Sequence, residues 1–186
     1  MKKQILMATL LASLFCCGAL AFAGRAHAET GPAVEVAFSP DGGAERLVLH
    51  TIGSARRSIR VLAYSFTSPV IVRALIDAKR RGIDVAVTVD YRNNLEEDRS
   101  GRARAAIGSL AYAGIPVRVV SAYPMQHSKF VVADGATVET GSYNFSSAAT
   151  RNSENVIVVH GDETVADAYL KNWQVVSARG DLYRAP

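Results

Sequence analysis

Cysteine is all but missing. The 186-residue chain has two, Cys16 and Cys17, side by side near its start. No block of like charge, Ser/Gly-rich linker or internal repeat interrupts the chain, which argues against a disordered tail, a solenoid or two tethered domains. A long apolar run occurs once, from Ile5 to Ala23, behind the short basic start Met1-Lys2-Lys3-Gln4. Two small-residue sites follow, Ala21-Phe22-Ala23 and Ala26-His27-Ala28. This is the pattern of a cleavable secretory leader over 1–28, with cleavage after Ala23 or Ala28 both open. The run of 19 residues is near the minimum for a membrane span, but peptidase sites at that spacing favour processing.

Such a leader takes both cysteines with it. Residues 29–186 then have no disulfide partner, no thiolate metal site and no cysteine nucleophile, although a periplasmic or secreted setting is oxidising. With no second apolar run, no stable membrane association is expected after cleavage. The basic excess thins out as well. Lys2, Lys3 and Arg25 lie in the leader, so a net charge of +4 falls to +1, with 18 basic against 17 acidic residues. Net charge therefore says little about a nucleic-acid partner.

What remains reads as one domain at 29–186, of the α/β class, with a mixed central sheet flanked by helices. Strands are expected at Val34–Phe38, Ile59–Tyr64, Ile83–Val89, Ile115–Val120, Lys129–Ala133, Thr137–Thr140 and Asn155–His160. Helices are expected over Ala44–Arg57, from Pro69 to the basic stop Lys79-Arg80-Arg81-Gly82, over Arg102–Ala113, and over Asp162–Ser177. Alternation of strand and helix predicts largely parallel pairing in the first part. Asp134-Gly135 then signals a tight antiparallel hairpin, which makes the sheet mixed. Asp90 to Ser100 is expected to be a polar loop.

The stretch that carries chemistry is His127-Ser-Lys129-Phe-Val-Val-Ala-Asp134, with Gly141-Ser142-Tyr-Asn144 behind it. On a strand, His127 and Lys129 share a face. A two-residue turn at Asp134-Gly135 would place Thr140 opposite Lys129 and Ser142 opposite His127, with Asn144 on the same face. Imidazole, ammonium, hydroxyl and amide then form one patch. Imidazole serves as nucleophile or as general acid and base near neutrality. Lysine and asparagine bind phosphate oxygens and stabilise transition-state charge. One carboxylate and one histidine are too few for a two-metal site, so neither a metal nor a cofactor is expected.

The spacing His-x-Lys-x4-Asp-x6-Gly-Ser-x-Asn resembles the signature of the phospholipase D superfamily, with every signature residue present. Short length, a leader and a single motif copy are most similar to its small secreted bacterial endonucleases, the Nuc-type branch. The resemblance implies a two-histidine mechanism, in which one imidazole forms a phosphohistidine and the other protonates the leaving oxygen. One motif per chain then implies a homodimer, each subunit contributing its His127. It further implies phosphate binding by Lys129 and Asn144, with Ser142 in support and Glu154 orienting the histidine. Asp134 belongs to the signature but falls at the turn, facing away from His127, and is expected to hold backbone or the neighbouring shell.

His50 and His160 lack any partner pattern and read as structural. Arg92, Arg99 and Arg102 lie around a loop following a strand, where α/β proteins bind ligands, and are candidate nucleic-acid contacts. A solvated loop is the plainer alternative. The sequence thus points to a secreted, metal-independent phosphodiesterase, foremost an endonuclease acting on DNA or RNA. A phospholipid phosphodiesterase and a non-catalytic nucleic-acid-binding factor stand as alternatives. DNA or RNA, single or double strand, and which phosphodiester bond leaves all stay open.

Overall fold

The computed structural model describes residues 33–185. The expected leader, with Cys16 and Cys17, lies outside the described residues. The strands are β1 (Ala33–Ser39), β2 (Ser58–Ala63), β3 (Asp84–Asp90), β4 (Val117–Val120), β5 (Phe130–Ala133), β6 (Thr137–Gly141), β7 (Glu154–His160) and β8 (Asp181–Leu182). The helices are α1 (Gly43–Ser54), α2 (Pro69–Arg80), α3 (Arg102–Tyr112) and α4 (Glu163–Ser177).

All eight strands form one sheet in the order β1-β7-β6-β5-β2-β3-β4-β8. Parallel pairing is confined to β2–β3–β4, less than strand–helix alternation suggests, and every other neighbouring pair is antiparallel. Alternating side chains split the strands between two cores. Val61 and Ala63 of β2 join the layer beneath α1, α2 and α3. Leu62, Phe130, Val132 and Val138 face α4 instead, where Ala166, Tyr169, Leu170 and Trp173 meet them. Helix α1 packs on β1, β5, β6 and β7, whereas α4 packs on β2, β4, β5 and β6.

Local chemistry explains the element ends. The Ser68 hydroxyl accepts from the Ile71 N–H at 3.4 Å, with Pro69 in the first turn of α2. Asp162 caps α4 by accepting from the Val165 N–H at 3.0 Å. The expected polar loop after β3 contains a π-helical turn over Arg92–Glu96.

The hairpin register differs from the expected one. Thr140 pairs with Phe130 and Thr137 with Ala133, one residue away from the alignment a two-residue loop would impose. Asp134 and Gly135 form the tight turn, with φ of 58° and 69°, closed by an Ala136 N–H bond to the Ala133 carbonyl at 3.1 Å. Ala136 then leaves the ladder, because its carbonyl accepts from the Asp162 N–H at 3.0 Å, at the start of α4. A tertiary hydrogen bond lengthens the connection by one residue. The turn chemistry is the expected one, and only the register shifts.

Candidate active site

The pocket lies where β5 begins and β6 ends. It has a volume of about 640 Å³ and is lined by His127, Ser128, Lys129, Thr140, Gly141, Ser142, Asn144, Glu154 and Asn155. The expected patch therefore assembles despite the shifted register. Residues 127–129 precede β5 in irregular backbone, so strand parity does not govern them. The Thr140 hydroxyl still bridges across, donating to the Lys129 carbonyl at 3.1 Å.

Lys129 is buried, at 6% relative exposure. Its ammonium donates to the His127 carbonyl at 2.6 Å and lies 5.3 Å from the centre of the Tyr64 ring. Burial pushes the Lys129 pKa below its ordinary value, and the negative charge of Glu154 partly restores it. A cation so placed, with few competing waters, is well suited to a phosphate oxygen. Asn144 presents a buried side-chain oxygen that no protein hydrogen bond uses.

Ser142 and Glu154 form a second group. The Ser142 hydroxyl donates to Glu154 Oε2 at 2.6 Å and accepts from the Asn155 N–H at 3.0 Å. Asn152 Nδ2 donates to Glu154 Oε1 at 3.0 Å. Both carboxylate oxygens are therefore engaged, and none of these bonds reaches His127 of the same chain. Gly141 allows the arrangement, since a Cβ there would lie 2.1 Å from the Asn155 carbonyl oxygen. Only glycine lets β6 approach β7 this closely at the pocket mouth.

Asp134 lies at the other end of the hairpin, away from the pocket. Its Oδ1 accepts from the N–H groups of Arg57 at 2.7 Å and Ser58 at 3.0 Å, and its Oδ2 from that of Arg56 at 2.9 Å. Burial alone would raise the carboxyl pKa. The three backbone donors and the Arg57 guanidinium outweigh that and hold it below the usual range. This is the backbone-holding role its position implied. His160 bonds Glu35 Oε1 at 2.6 Å, at the opposite end of β7 from the pocket-lining Glu154 and Asn155.

None of the three arginines lines the pocket. Arg92 pairs with Glu97 at 2.7 Å, and Arg99 is exposed. Arg102 borders a separate cleft of about 480 Å³ beside Thr67, Pro69 and Val72. Ser147 also lines that cleft, so the segment running on from Asn144 connects the two hollows.

Two features of the site escaped motif reading. Tyr64, one residue beyond β2, packs its ring 4.6 Å from the His127 imidazole, centre to centre, at 59°. Its position at the carboxyl end of a parallel strand was the available signal. Behind it lies a buried bracket. Asp90 Oδ2 accepts from the Gln126 N–H at 2.8 Å, fixing the backbone of the residue before His127. Asn94 Nδ2 donates to the carbonyls of Tyr64 at 2.6 Å and Asp90 at 2.7 Å, while its Oδ1 accepts from the Phe66 N–H at 2.9 Å. The bracket binds β2, β3 and the histidine loop into one support.

One imidazole, a desolvated ammonium, an amide and a hydroxyl–carboxylate pair at the end of a mixed α/β sheet make up the site of a phospholipase D-superfamily phosphodiesterase. The chain belongs to the family described as cardiolipin synthase, PLD-like domain, whose model matches residues 48–174 and so spans every motif residue. It is 38% identical over 147 residues to a protein named phospholipase D from Rickettsia bellii, covering 78% of this chain and 70% of that one. It is 32% identical over 134 residues to the mitochondrial cardiolipin hydrolase of Xenopus laevis, covering 72% of this chain and 60% of the relative. Among solved structures, Nuc of Salmonella typhimurium, a phospholipase D family member, superposes with a TM-score of 0.79 at 45% identity. That match covers 82% of this chain and 99% of Nuc.

Proposed function

We propose that this protein is a secreted endonuclease that cleaves phosphodiester bonds of nucleic acid without a metal, as a homodimer with one His127 from each subunit. The observation that carries this reading is that the pocket holds a single imidazole beside a phosphate-binding set, in a chain 45% identical to Nuc over nearly all of Nuc's length. Among the described residues no group of three or more His, Cys, Asp or Glu side chains converges to hold a metal ion.

In the first step an imidazole nitrogen of one His127 attacks phosphorus and the P–O bond to the leaving group breaks. The second subunit's imidazolium gives its proton to the departing oxygen. That imidazole then takes a proton from water, whose oxygen attacks phosphorus and breaks the P–N bond, which restores both histidines. Lys129 and Asn144 hold the non-bridging oxygens throughout. Since Glu154 makes no bond to His127 within its own chain, the orienting role assigned to it operates across the twofold axis, on the other subunit's imidazole. Backbone phosphates dominate affinity, so binding weakens as salt rises. Arg92, Arg99 and Arg102 extend the track along the nucleic acid.

The test is cleavage of plasmid DNA and single-stranded RNA in excess chelator by the wild type and by His127→Ala. Chelator-resistant cutting lost in the variant supports the reading and shows which polymer is preferred. Wild-type activity in His127→Ala refutes it. The names of the Rickettsia and Xenopus relatives favour a second reading, a phospholipid phosphodiesterase acting through the same residues. Headgroup release without nucleic-acid cleavage would establish that instead.

A further inference from the structure

We infer that the cleft between α2 and α3 is a base pocket, which receives a nucleobase next to the cleaved phosphate and so selects single strands. This rests on the endonuclease reading above and adds a substrate class to it. The cleft has a volume of about 480 Å³, within the range of sites that hold small organic groups. Pro69 and Val72, from the first turn of α2, form one wall, and Ala105 and Ala106 of α3 form the other. Val72 and Ala106 are nearly covered, at 7% and 6% exposure, and make the floor. Pro69, Ala105 and Arg102 are exposed at the rim. The hydroxyl residues Thr67 and Ser147 complete the polar side of the lining.

That composition identifies the occupant. An acyl chain would press hydrocarbon against Thr67, Ser147 and Arg102 and take them out of water without a partner, which costs free energy. A nucleobase has apolar faces for the Val72–Ala106 floor and a hydrogen-bonding edge for the hydroxyls. The phosphate that follows it suits the guanidinium. The neighbouring carboxylate, Asp98, is committed to the start of α3, where it accepts from the N–H groups of Ser100 at 3.0 Å and Ala103 at 2.6 Å.

Backbone hydrogen bonds fix the cleft to the active site. The Thr67 and Ser68 N–H groups both donate to the Phe145 carbonyl, at 2.9 and 3.0 Å, and Phe66 and Phe145 form a parallel bridge. Asn144, the proposed phosphate ligand, is three residues from Ser147, a path of at most about 11 Å between Cα atoms. The Ser146 N–H bonds the Asn144 carbonyl at 2.7 Å, so the chain turns there and the true distance is shorter. The nucleoside joined to a phosphate at Asn144 spans a gap of this size. Bases in a duplex are stacked and paired, and only an unpaired base swings out into such a slot without first paying for unstacking.

The experiment measures chelator-resistant cleavage of a short oligonucleotide with one cleavable linkage, single-stranded, in duplex, and with the base on either side of that linkage removed in turn. Bis(4-nitrophenyl) phosphate serves as a diester without a base. The wild type is compared with Ala105→Phe, which fills the cleft from an exposed position on α3. The wild type is expected to cut the single strand at least tenfold faster than the duplex. It should lose roughly tenfold in kcat/KM when the base on one side is missing, the scale of one lost base contact. Ala105→Phe should show that loss on the intact strand, no further loss when the same base is removed, and wild-type turnover of the small diester. Equal cutting of duplex and single strand, or losses that multiply, overturn the base pocket and leave the nuclease reading standing. An equal loss on the small diester overturns it too, because the substitution then acts on the catalytic pocket. If Ala105→Phe misfolds, the wild type decides, and indifference to both missing bases overturns the assignment. A wild type that cuts no nucleic acid but releases headgroup from phosphatidylcholine vesicles overturns the endonuclease reading and this inference with it.

Discussion

Glu139 sits in the middle of β6 with 1% relative exposure, and its Oε2 has no hydrogen-bond partner. Burial raises its pKa from 4.5 to about 8, against a smaller opposing pull from the Val131 N–H. The folded protein therefore holds this carboxyl protonated at neutral pH, while the unfolded chain releases the proton near pH 4.5. Between those two values the folded state binds one more proton than the unfolded state, so stability falls as pH rises. The loss begins above pH 4.5, grows by about 1.4 kcal/mol per pH unit, and levels off above pH 8 at about 5 kcal/mol. Glu139→Gln keeps the shape and removes the titration. Urea unfolding followed by circular dichroism at intervals from pH 5 to pH 9 should show the variant gaining on the wild type by about 4 kcal/mol over that range. Parallel stability curves would refute the argument, since they would mean that Glu139 ionises equally in both states. The neighbouring Tyr143 hydroxyl, also buried and unpartnered, is pushed upward by burial and by the charges of Glu45, Glu139 and Glu154, and stays neutral throughout this window.

Asn94→Leu removes the links to Tyr64, Asp90 and Phe66 and strands three backbone groups. A loss of roughly 3 kcal/mol in unfolding free energy is expected, with kcat falling more than KM rises because the histidine loop loses its support. An equal change in both constants would count against a positioning role. Asp134→Ala leaves three N–H groups at Arg56, Arg57 and Ser58 without an acceptor, and should cost roughly 2–3 kcal/mol in urea unfolding at pH 7. The wild-type advantage over this variant should shrink as pH falls below 3.8 and the carboxyl protonates in the unfolded chain and then in the folded one. A pH-independent difference would show that the charge of Asp134 is not what holds the turn.

Most of the pocket was legible in the sequence because its chemistry is concentrated in one stretch. His127, Lys129, Ser142 and Asn144 sit within eighteen residues joined by a single hairpin, so local spacing brings them together almost regardless of register. Glu154 followed from the resemblance rather than from spacing, and it does line the pocket. The bonds it makes go to Ser142 and Asn152, which no spacing argument could supply. The shifted register depended on a hydrogen bond from Asp162, more than twenty residues away, to Ala136. Tyr64 and the Asp90–Asn94–Gln126 bracket were missed for the same reason, since they meet only when β2 lies between β5 and β3. The two-residue β8 carries no periodic pattern, and its pairing with β4 is a purely tertiary fact. The seven longer strands and four helices announced themselves through alternation, caps and glycine stops, with ends displaced by a few residues. Helix α1, for example, stops at Ser54, short of Arg57.

The pairing of β1 with β7 also sets the timing of assembly. A ribosome delivers β1 first, yet its only sheet neighbour begins 115 residues later at Glu154, the same residue that completes the pocket wall. The first strand waits unpaired until nearly the whole domain has been synthesised, and closing so long a loop is the slow kind of step in folding. Nascent fragments ending anywhere before β7 consequently lack both a joined β1 edge and a finished pocket. Maturity of the sheet and competence of the site arrive in one late event, so a chain terminated before β7 has no route to partial activity.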